Sequence, residues 1–403
     1  MQLKRSRFAV SLSAVATAGL VACFASSALA QSGGGSTGNF NLQSAPANPA
    51  PPRNGVRPEF GLEAQAGKPT KPVKNSKSSE PTTRSIKAVP KSDAAAPASN
   101  ASQTTEPPAS AARQTSGLPP AGERRFIENE VVIEVAGRPT PQQVDALARR
   151  HQLNREESQA FNLSGTTMFR WTIPDGRNVS AVIRSLEADS QILSVQPNYR
   201  YMLQQSKTGE GIQYSVEKLN LPRAHQIARG DRVLVAVIDS GIDESHPELR
   251  GAVENMFDPA GGDGAAHAHG TSIAGAIVSH SKLTGVAPRA RILAVRAFDP
   301  TSGTAEGTTF NILKGLEWAA SKGARVINMS FAGPHDPIMA RALSAANKKG
   351  IVLIAAAGNA GAKSPPLFPA SDPNVIAVTA TDSEDRLFQG ANRGHHIAVA
   401  APG

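Results

Sequence analysis

The second half of the sequence alternates short, fully apolar runs with stretches of helical spacing. The apolar runs are Val233–Ile238, Ile292–Val295, Val326–Ile327, Ile351–Ala357 and Val375–Val378. The helical stretches between them are His269–His280, Thr309–Ser321 and Pro337–Lys348. Strands that are apolar on both faces belong to parallel sheets that helices cover on both sides. Residues 206–403 are therefore predicted to form an α/β domain with a doubly wound, mostly parallel sheet.

The preceding segment, residues 123–205, has a different pattern. Strand-like alternation occurs at Glu130–Val135 and Thr167–Ile173, and a last strand begins at Ile192 and continues toward Tyr201. Helical spacing separates these strands at Pro141–His151 and Val179–Leu186, with Thr140 as the expected N-cap of the first helix. The order strand, helix, strand, helix, strand predicts a small α+β, ferredoxin-like domain with both helices on one face.

The N-terminus has the pattern of an export signal. Basic residues precede an apolar run over residues 8–22, and Ala28-Leu29-Ala30 provides the small residues of a cleavage site. Residues 1–30 are therefore predicted to be a signal peptide and the protein to be exported. Leu20-Val21-Ala22-Cys23 also resembles a bacterial lipobox. Attachment to a membrane through a lipid on Cys23 thus stays open beside free secretion.

Residues 31–122 are rich in Ser, Pro, Gly, Ala, Gln, Thr and Lys and contain few large apolar residues. Such a segment buries too little surface to offset the entropy of ordering it, so it is predicted to be a disordered tether. The net charge of +9 is not gathered into a basic stripe interleaved with aromatic residues, and no nucleic-acid partner is predicted. The single cysteine lies in the leader, which excludes a disulfide or a cysteine metal site in the mature chain.

Two residues carry the pattern of acid–base chemistry. Asp239 ends an apolar strand, and His269 begins a helix of small residues. Functional residues of such sheets gather at the carboxyl ends of the strands. An aspartate that accepts the Nδ1 proton of a histidine fixes its tautomer and stabilises the imidazolium, as in Ser–His–Asp enzymes. A metal cluster of Asp263, His267 and His269 is the alternative, although its spacing matches no strong zinc pattern.

These segments occur in the order found in subtilisin-like serine proteases (subtilases). The matching motifs are Val237–Ile242, His246–Leu249, His269–Gly275, Gly285–Pro288, Val326–Ser330, Ala355–Asn359, Phe368–Ala370 and Ala400–Gly403. Residues 206–403 therefore resemble the peptidase domain of this family, which acts on polypeptides. Residues 123–205 resemble its propeptide, and Val195–Tyr199 resembles the propeptide's closing strand. The resemblance implies that this domain is an intramolecular chaperone and inhibitor.

The resemblance also assigns roles to individual residues. Asp239 becomes the carboxylate that orients His269, His269 becomes the general base, and Asn359 donates its side-chain amide to the oxyanion. A substrate-binding strand that pairs with an extended peptide is implied at Ser330, Phe331, Ala332 and Gly333. Ala357 and Gly358 would line the primary specificity pocket with it, and the small side chains favour a sizeable apolar residue there.

The sequence departs from the family at two places. The segment between His269 and Gly285 is short and lacks the acidic or amide-rich run of the family's calcium site, so neither a metal nor another cofactor is predicted. The family's nucleophile lies in a Gly-Thr-Ser-x-Ala-x-Pro segment after the Ala-Pro-Gly motif, which is where Gly403 stands. No serine within the chain has the neighbours of such a nucleophile, and this holds for Ser272, Ser364, Ser371 and Ser383.

Two readings of this second departure stay open. The first is a protease precursor whose sequence is truncated before the nucleophile and which is inactive by itself. The second is a non-catalytic peptide-binding or chaperone-like pseudoprotease. A nucleotide-binding domain is not favoured, because no G-x-G-x-x-G or G-x-x-x-x-G-K segment follows a predicted strand.

Overall fold

The computed structural model describes residues 116–204, 213–262, 264–300 and 305–403. The predicted signal peptide, Cys23 and residues 31–115 of the predicted tether lie outside this part of the chain. Ser116 and Gly117 already hydrogen-bond to the Glu187 carboxylate, at 2.7 and 2.8 Å. Leu118 packs against the core of the first domain. The packed chain thus includes residues 116–122, which the sequence analysis placed in the tether.

The first domain is an antiparallel sheet with two helices on one face. Its elements are β1 (Phe126–Ala136), α1 (Pro141–His151), β2 (Asn154–Phe161), β3 (Thr166–Thr172), α2 (Val179–Glu187) and β4 (Ile192–Leu203). The strand order is β2-β3-β1-β4. Strand β2 was not predicted, because it is an edge strand whose mostly polar residues stay largely exposed. With β2 added, the order is that of a ferredoxin-like fold.

Local sequence accounts for the two helices of this domain. Thr140 and Gln143 form a reciprocal capping box at the start of α1, directly before Pro141. The Asn178 side chain accepts the Ser180 N–H at the start of α2. The apolar sides of both helices cover one face of the sheet and bury Ile133 and Trp171 completely.

The second domain is built on a seven-stranded sheet in the order β14-β13-β12-β10-β5-β7-β6. Its elements are α3 (Tyr214–Lys218), α4 (Leu221–Ile227), β5 (Leu234–Asp239), β6 (Val253–Phe257), α5 (Ala268–Val278), β7 (Arg291–Arg296), β8 (Phe298–Asp299), β9 (Glu306–Thr308), α6 (Thr309–Ser321), β10 (Val326–Met329), β11 (Phe331–Ala332), α7 (Pro337–Lys348), β12 (Val352–Ala356), β13 (Ile376–Thr381) and β14 (Ile397–Pro402). Every pairing within this sheet is parallel. The predicted parallel α/β fold is confirmed.

Helices cover both faces of the parallel sheet. Val235 and Val237 of β5 pack on one face in the same cluster as Ile273 of α5. Ala236 and Ile238 point to the opposite face, where α6 and α7 pack. Because successive side chains of a strand alternate between the two faces, a strand covered on both sides is apolar throughout. The edge strands β6 and β14 are half exposed and more mixed in sequence, and they were not predicted.

The two domains share a sheet and a core. Strand β4 pairs with β1 of the first domain and also, antiparallel, with β9 and β11 of the second. The face of the first sheet away from its helices packs on α6 and α7, so Met168 and Tyr199 lie in one cluster with Phe310 and Leu343. This arrangement carries the C-terminal end of β4 across the carboxyl edge of the parallel sheet. Among the described residues, no helix is long and apolar enough to cross a membrane.

Candidate active site

The structure brings Asp239 and His269 into direct contact. Asp239 is the last residue of β5 and His269 lies in the first turn of α5, and the two side chains are 0% and 1% exposed. The His269 Nδ1 lies 2.7 Å from Asp239 Oδ1. The same oxygen accepts the Ser240 N–H at 2.7 Å and the Ser240 hydroxyl at 3.1 Å. These bonds fix the carboxylate relative to the imidazole.

Glycine lets the two segments approach this closely. A Cβ on Gly270 would lie 2.6 Å from the Ser240 carbonyl oxygen, and one on Gly241 would lie 2.1 Å from that of Ala265. The start of α5 therefore packs backbone to backbone against the loop that follows β5. The His267 ring caps this helix and lies 3.0 Å from the Ser240 hydroxyl. His267, which the sequence suggested only as a loop residue or a metal ligand, thus positions the helix.

The charge state of His269 is set by opposing effects. Burial disfavours the imidazolium and lowers its pKa, but the charge and hydrogen bond of Asp239, together with the Gln204 carbonyl, raise it, and the net pKa lies above the ordinary value. The pKa of His267 is lowered by burial and by repulsion from a charged His269. The two neighbouring histidines therefore differ, and His269 is the one that favours a proton.

One residue of the first domain touches three of the predicted site segments. The Gln204 carbonyl oxygen lies 3.1 Å from His269 Nε2. The Gln204 N–H donates to the Ser330 carbonyl at 2.9 Å, and its side-chain Oε1 accepts the Asn359 N–H at 2.9 Å. His269, Ser330 and Asn359 are therefore gathered around a single residue, the first two at its backbone and the third at its side chain. Sequence patterns alone gave Gln204 no place in the site.

The residues before Gln204 occupy a cleft between two strands of the second domain. On one side, Leu203 is opposite Phe331 and Met202 is opposite Ala332. On the other side, Met202 is opposite Glu306 and Tyr201 is opposite Gly307. Phe331 and Ala332 thus pair with an extended strand, as the resemblance implied for a substrate. Sequence reasoning missed β9, because its three residues, Glu-Gly-Thr, lack any strand pattern.

A buried asparagine holds the loop that carries Asn359. The Asn392 side chain donates to the Ala357 carbonyl and accepts the Ala360 N–H, both at 2.9 Å. Its backbone N–H donates to the Gly358 carbonyl at 3.0 Å. Gly358 has a φ of 108°, and a Cβ there would lie 2.5 Å from the Asn392 amide nitrogen. Sequence reasoning missed Asn392, since no local pattern marks it, and its bonds keep Ala357 and Gly358 beside the site.

The predicted metal alternative does not match the described residues. His269 is bonded to Asp239, Asp263 lies outside the described residues, and no group of three His, Cys, Asp or Glu side chains there could hold an ion. In the segment compared with the calcium site, the Glu248 carboxylate accepts the N–H groups of Ser281 and Lys282 at 3.0 and 2.7 Å. Backbone N–H groups that converge in this way suit an anion, not a cation.

The described part of the chain offers His269 Nε2 no serine partner. Its hydrogen bond there is to the Gln204 carbonyl. Ser240 and Ser330 lie nearby but bond to Asp239 and Asn328, respectively.

Fold and site together define a class of protein. A buried carboxylate–imidazole pair lies at the carboxyl edge of a parallel sheet, and next to it a cleft holds an extended peptide strand by backbone hydrogen bonds. A family model for the subtilase family matches residues 230–403. The chain belongs to the subtilase family, whose members are serine endopeptidases.

Individual relatives agree with this assignment. The thermophilic serine proteinase of Bacillus sp. (strain AK1) is 32% identical over 294 residues, which cover 69% of this chain and 70% of that protein. Thermitase of Thermoactinomyces vulgaris is 38% identical over 203 residues, covering 47% of this chain and 70% of that protein.

A solved structure supports the fold. Fervidolysin from Fervidobacterium pennivorans, described as a keratinolytic enzyme related to subtilisin, superposes with a TM-score of 0.56 at 24% identity. The match covers 69% of this chain but only 47% of fervidolysin, so the chain spans about half the length of that protein.

Proposed function

We propose that this chain is the precursor of an exported, subtilisin-like serine endopeptidase and that residues 123–205 are its own propeptide and inhibitor. The observation that carries the proposal is the position of Gln204. Its carbonyl faces His269 Nε2 at 3.1 Å, while the residues before it lie in the cleft as an added strand. This is the position of the acyl residue of a peptide bond that the site cleaves.

Each site residue has a role in this mechanism. Asp239 accepts the Nδ1 proton of His269 and so leaves Nε2 free to remove a proton from the nucleophile. Nε2 then gives this proton to the leaving amine. Asn359, whose backbone N–H contacts the Gln204 side chain, donates its side-chain amide to the oxyanion in this proposal. The proposal places the nucleophile in a Gly-Thr-Ser-x-Ala-x-Pro segment beyond Gly403, and residues 1–403 alone are expected to hydrolyse no peptide bond at an enzymatic rate.

The contacts between the domains support the inhibitor role. The buried Glu134 carboxylate of the first domain accepts the Nε–H of Arg341 on α7 at 3.1 Å. Conversely, Glu317 of α6 accepts the backbone N–H groups of Asn162 and Leu163 at 3.0 and 3.1 Å. Polar bonds in both directions surround the shared apolar core. They hold the first domain so that the end of β4 fills the cleft.

The protein as its gene encodes it is expected to cut itself after Gln204. N-terminal sequencing and intact mass of the larger product should give a start at Gln205. The His269→Ala variant, which lacks the general base, should stay uncut under the same conditions. A natural start upstream of Leu193 would contradict the propeptide assignment. An uncut protein that still binds extended peptides would favour the pseudoprotease instead.

The hydrogen bond between His269 and the Gln204 carbonyl should contribute less to the stability of the folded protein as the pH rises. His269 can donate to Asp239 and to the Gln204 carbonyl together only as the imidazolium. Because the pKa of His269 is raised in the folded protein, this contribution to stability is fully present below the unfolded pKa of about 6.5 and is lost as pH rises through the folded pKa.

Urea unfolding of residues 1–403 between pH 5 and pH 9 measures this effect. The difference in unfolding free energy between the unmodified chain and His269→Ala should shrink with rising pH. A difference that is constant or grows across this window would contradict the role of the imidazolium.

A further inference from the structure

Tyr201 fills a closed pocket in the cleft, three residues before Gln204. The side chain is completely buried, and its ring meets Phe331 edge-on at a centroid distance of 5.7 Å. The floor of the pocket is open only because residue 333 is glycine, since a Cβ there would lie 2.4 Å from the tyrosine ring. The hydroxyl lies 3.1 Å from Asp336 Oδ2 and 3.3 Å from the Pro334 carbonyl.

Asp336 places a buried carboxylate at the end of this apolar pocket. Its side chain is the N-cap of α7 and accepts the Met339 N–H at 2.8 Å and the Thr309 hydroxyl at 2.6 Å. The other two donors belong to the first domain, namely the Gln196 amide at 2.7 Å and the Tyr201 hydroxyl. When the first domain leaves, Asp336 keeps its position but loses two of these partners.

We propose that Asp336 makes this pocket select a tyrosine side chain in polypeptide substrates. The selected residue lies three positions before the residue whose carbonyl group belongs to the cleaved bond. The inference rests on the proposed function and names its substrate class. A phenylalanine would fill the same pocket but would leave the buried Asp336 carboxylate without one hydrogen-bond donor, which carries a desolvation penalty. A site that is built to bond a hydroxyl rejects the analogue that lacks it. The propeptide's own sequence, Tyr201-Met202-Leu203-Gln204, is then a good substrate sequence.

The test compares two peptides that differ in one oxygen atom. They have the sequence of residues 200–207, one with tyrosine and one with phenylalanine at position 201, and they are offered to the processed gene product. The tyrosine peptide should have a kcat/KM about 10- to 100-fold higher, as expected for a hydrogen bond to a charged group. Asp336→Asn keeps a capping side chain but removes the charge, and it should reduce this ratio about tenfold.

A matched control is Asp372→Asn, which alters another buried aspartate whose bonds stay within its own loop. It should leave the ratio between the two peptides unchanged. A third peptide has lysine at position 201 and measures simple charge attraction. If it is cleaved as fast as the tyrosine peptide, the proposed selection of a phenol is wrong.

The outcomes separate this inference from the proposed function. If both peptides are cut equally well, the protease assignment stands and the tyrosine pocket is wrong. If neither is cut, the protease assignment fails. The preference of the pocket is then measured as the difference in affinity between two peptides that end at Gln204, one with tyrosine and one with phenylalanine at position 201. Displacement of a labelled peptide gives both affinities. The same tyrosine-to-phenylalanine ratio in the unmodified protein decides the matter if Asp336→Asn does not fold.

Discussion

Asp239→Asn should lower the turnover number of the processed protease by about 10⁴-fold while leaving the fold intact. The asparagine fits the same space and can still accept the Ser240 N–H. However, its amide can donate to Nδ1 and so stabilise the tautomer of His269 that carries the proton on Nε2. That tautomer cannot remove a proton from a nucleophile. Because the pair is fully buried, water cannot replace the lost carboxylate.

Steady-state cleavage of the peptide with the sequence of residues 200–207 measures the loss. Near-ultraviolet circular dichroism should show that the fold is retained, and Asp372→Asn is the matched buried control. The pH profile supplies a second readout. Removing the carboxylate removes what raises the pKa of His269, so the acid limb of the remaining activity should move to lower pH. A loss below tenfold, or an acid limb that does not move, would contradict the role of Asp239.

The sequence predicted those parts of the site that local pattern and sheet topology determine together. Asp239 ends an apolar strand, and His269 begins a helix, so a parallel sheet by itself places them at one edge. The helices beginning at Pro141, Thr309 and Pro337 were also predicted at their observed starts, because caps and prolines mark them locally.

What the sequence did not reveal depends on contacts between distant segments. Gln204 lies in a polar stretch, and its importance comes from His269 and Asn359, which are 65 and 155 residues away. Asp336 looks like an ordinary helix cap before a proline, and only its bond to Tyr201, 135 residues away, makes it part of a pocket. Strand β2 was missed because an edge strand needs no apolar alternation. Such features require the assembled fold.

Trp171→Ala should destabilise the first domain by about 3–5 kcal/mol, the usual cost of removing a large aromatic side chain from a core. Trp171 is completely buried between the sheet and its two helices, with its ring 5.5 Å from that of Phe169. None of its cluster belongs to the second domain, so the direct effect stays in the first. Trp171→Phe retains much of the volume and should cost clearly less.

The chain has two tryptophans, so Trp171→Ala leaves only Trp318, which lies in the second domain. Trp318 stacks on Phe257 at 5.3 Å within the second domain, so its fluorescence follows the unfolding of that domain in urea. If β4 and the shared core stabilise the second domain, the unfolding midpoint followed by Trp318 fluorescence should move to a lower urea concentration. The midpoint followed by far-ultraviolet circular dichroism should move with it. The Tyr201–Gln204 strand should then also become accessible to an added protease at lower urea. A Trp318 transition that does not move would mean that the second domain does not depend on the first, contradicting the chaperone role proposed for residues 123–205.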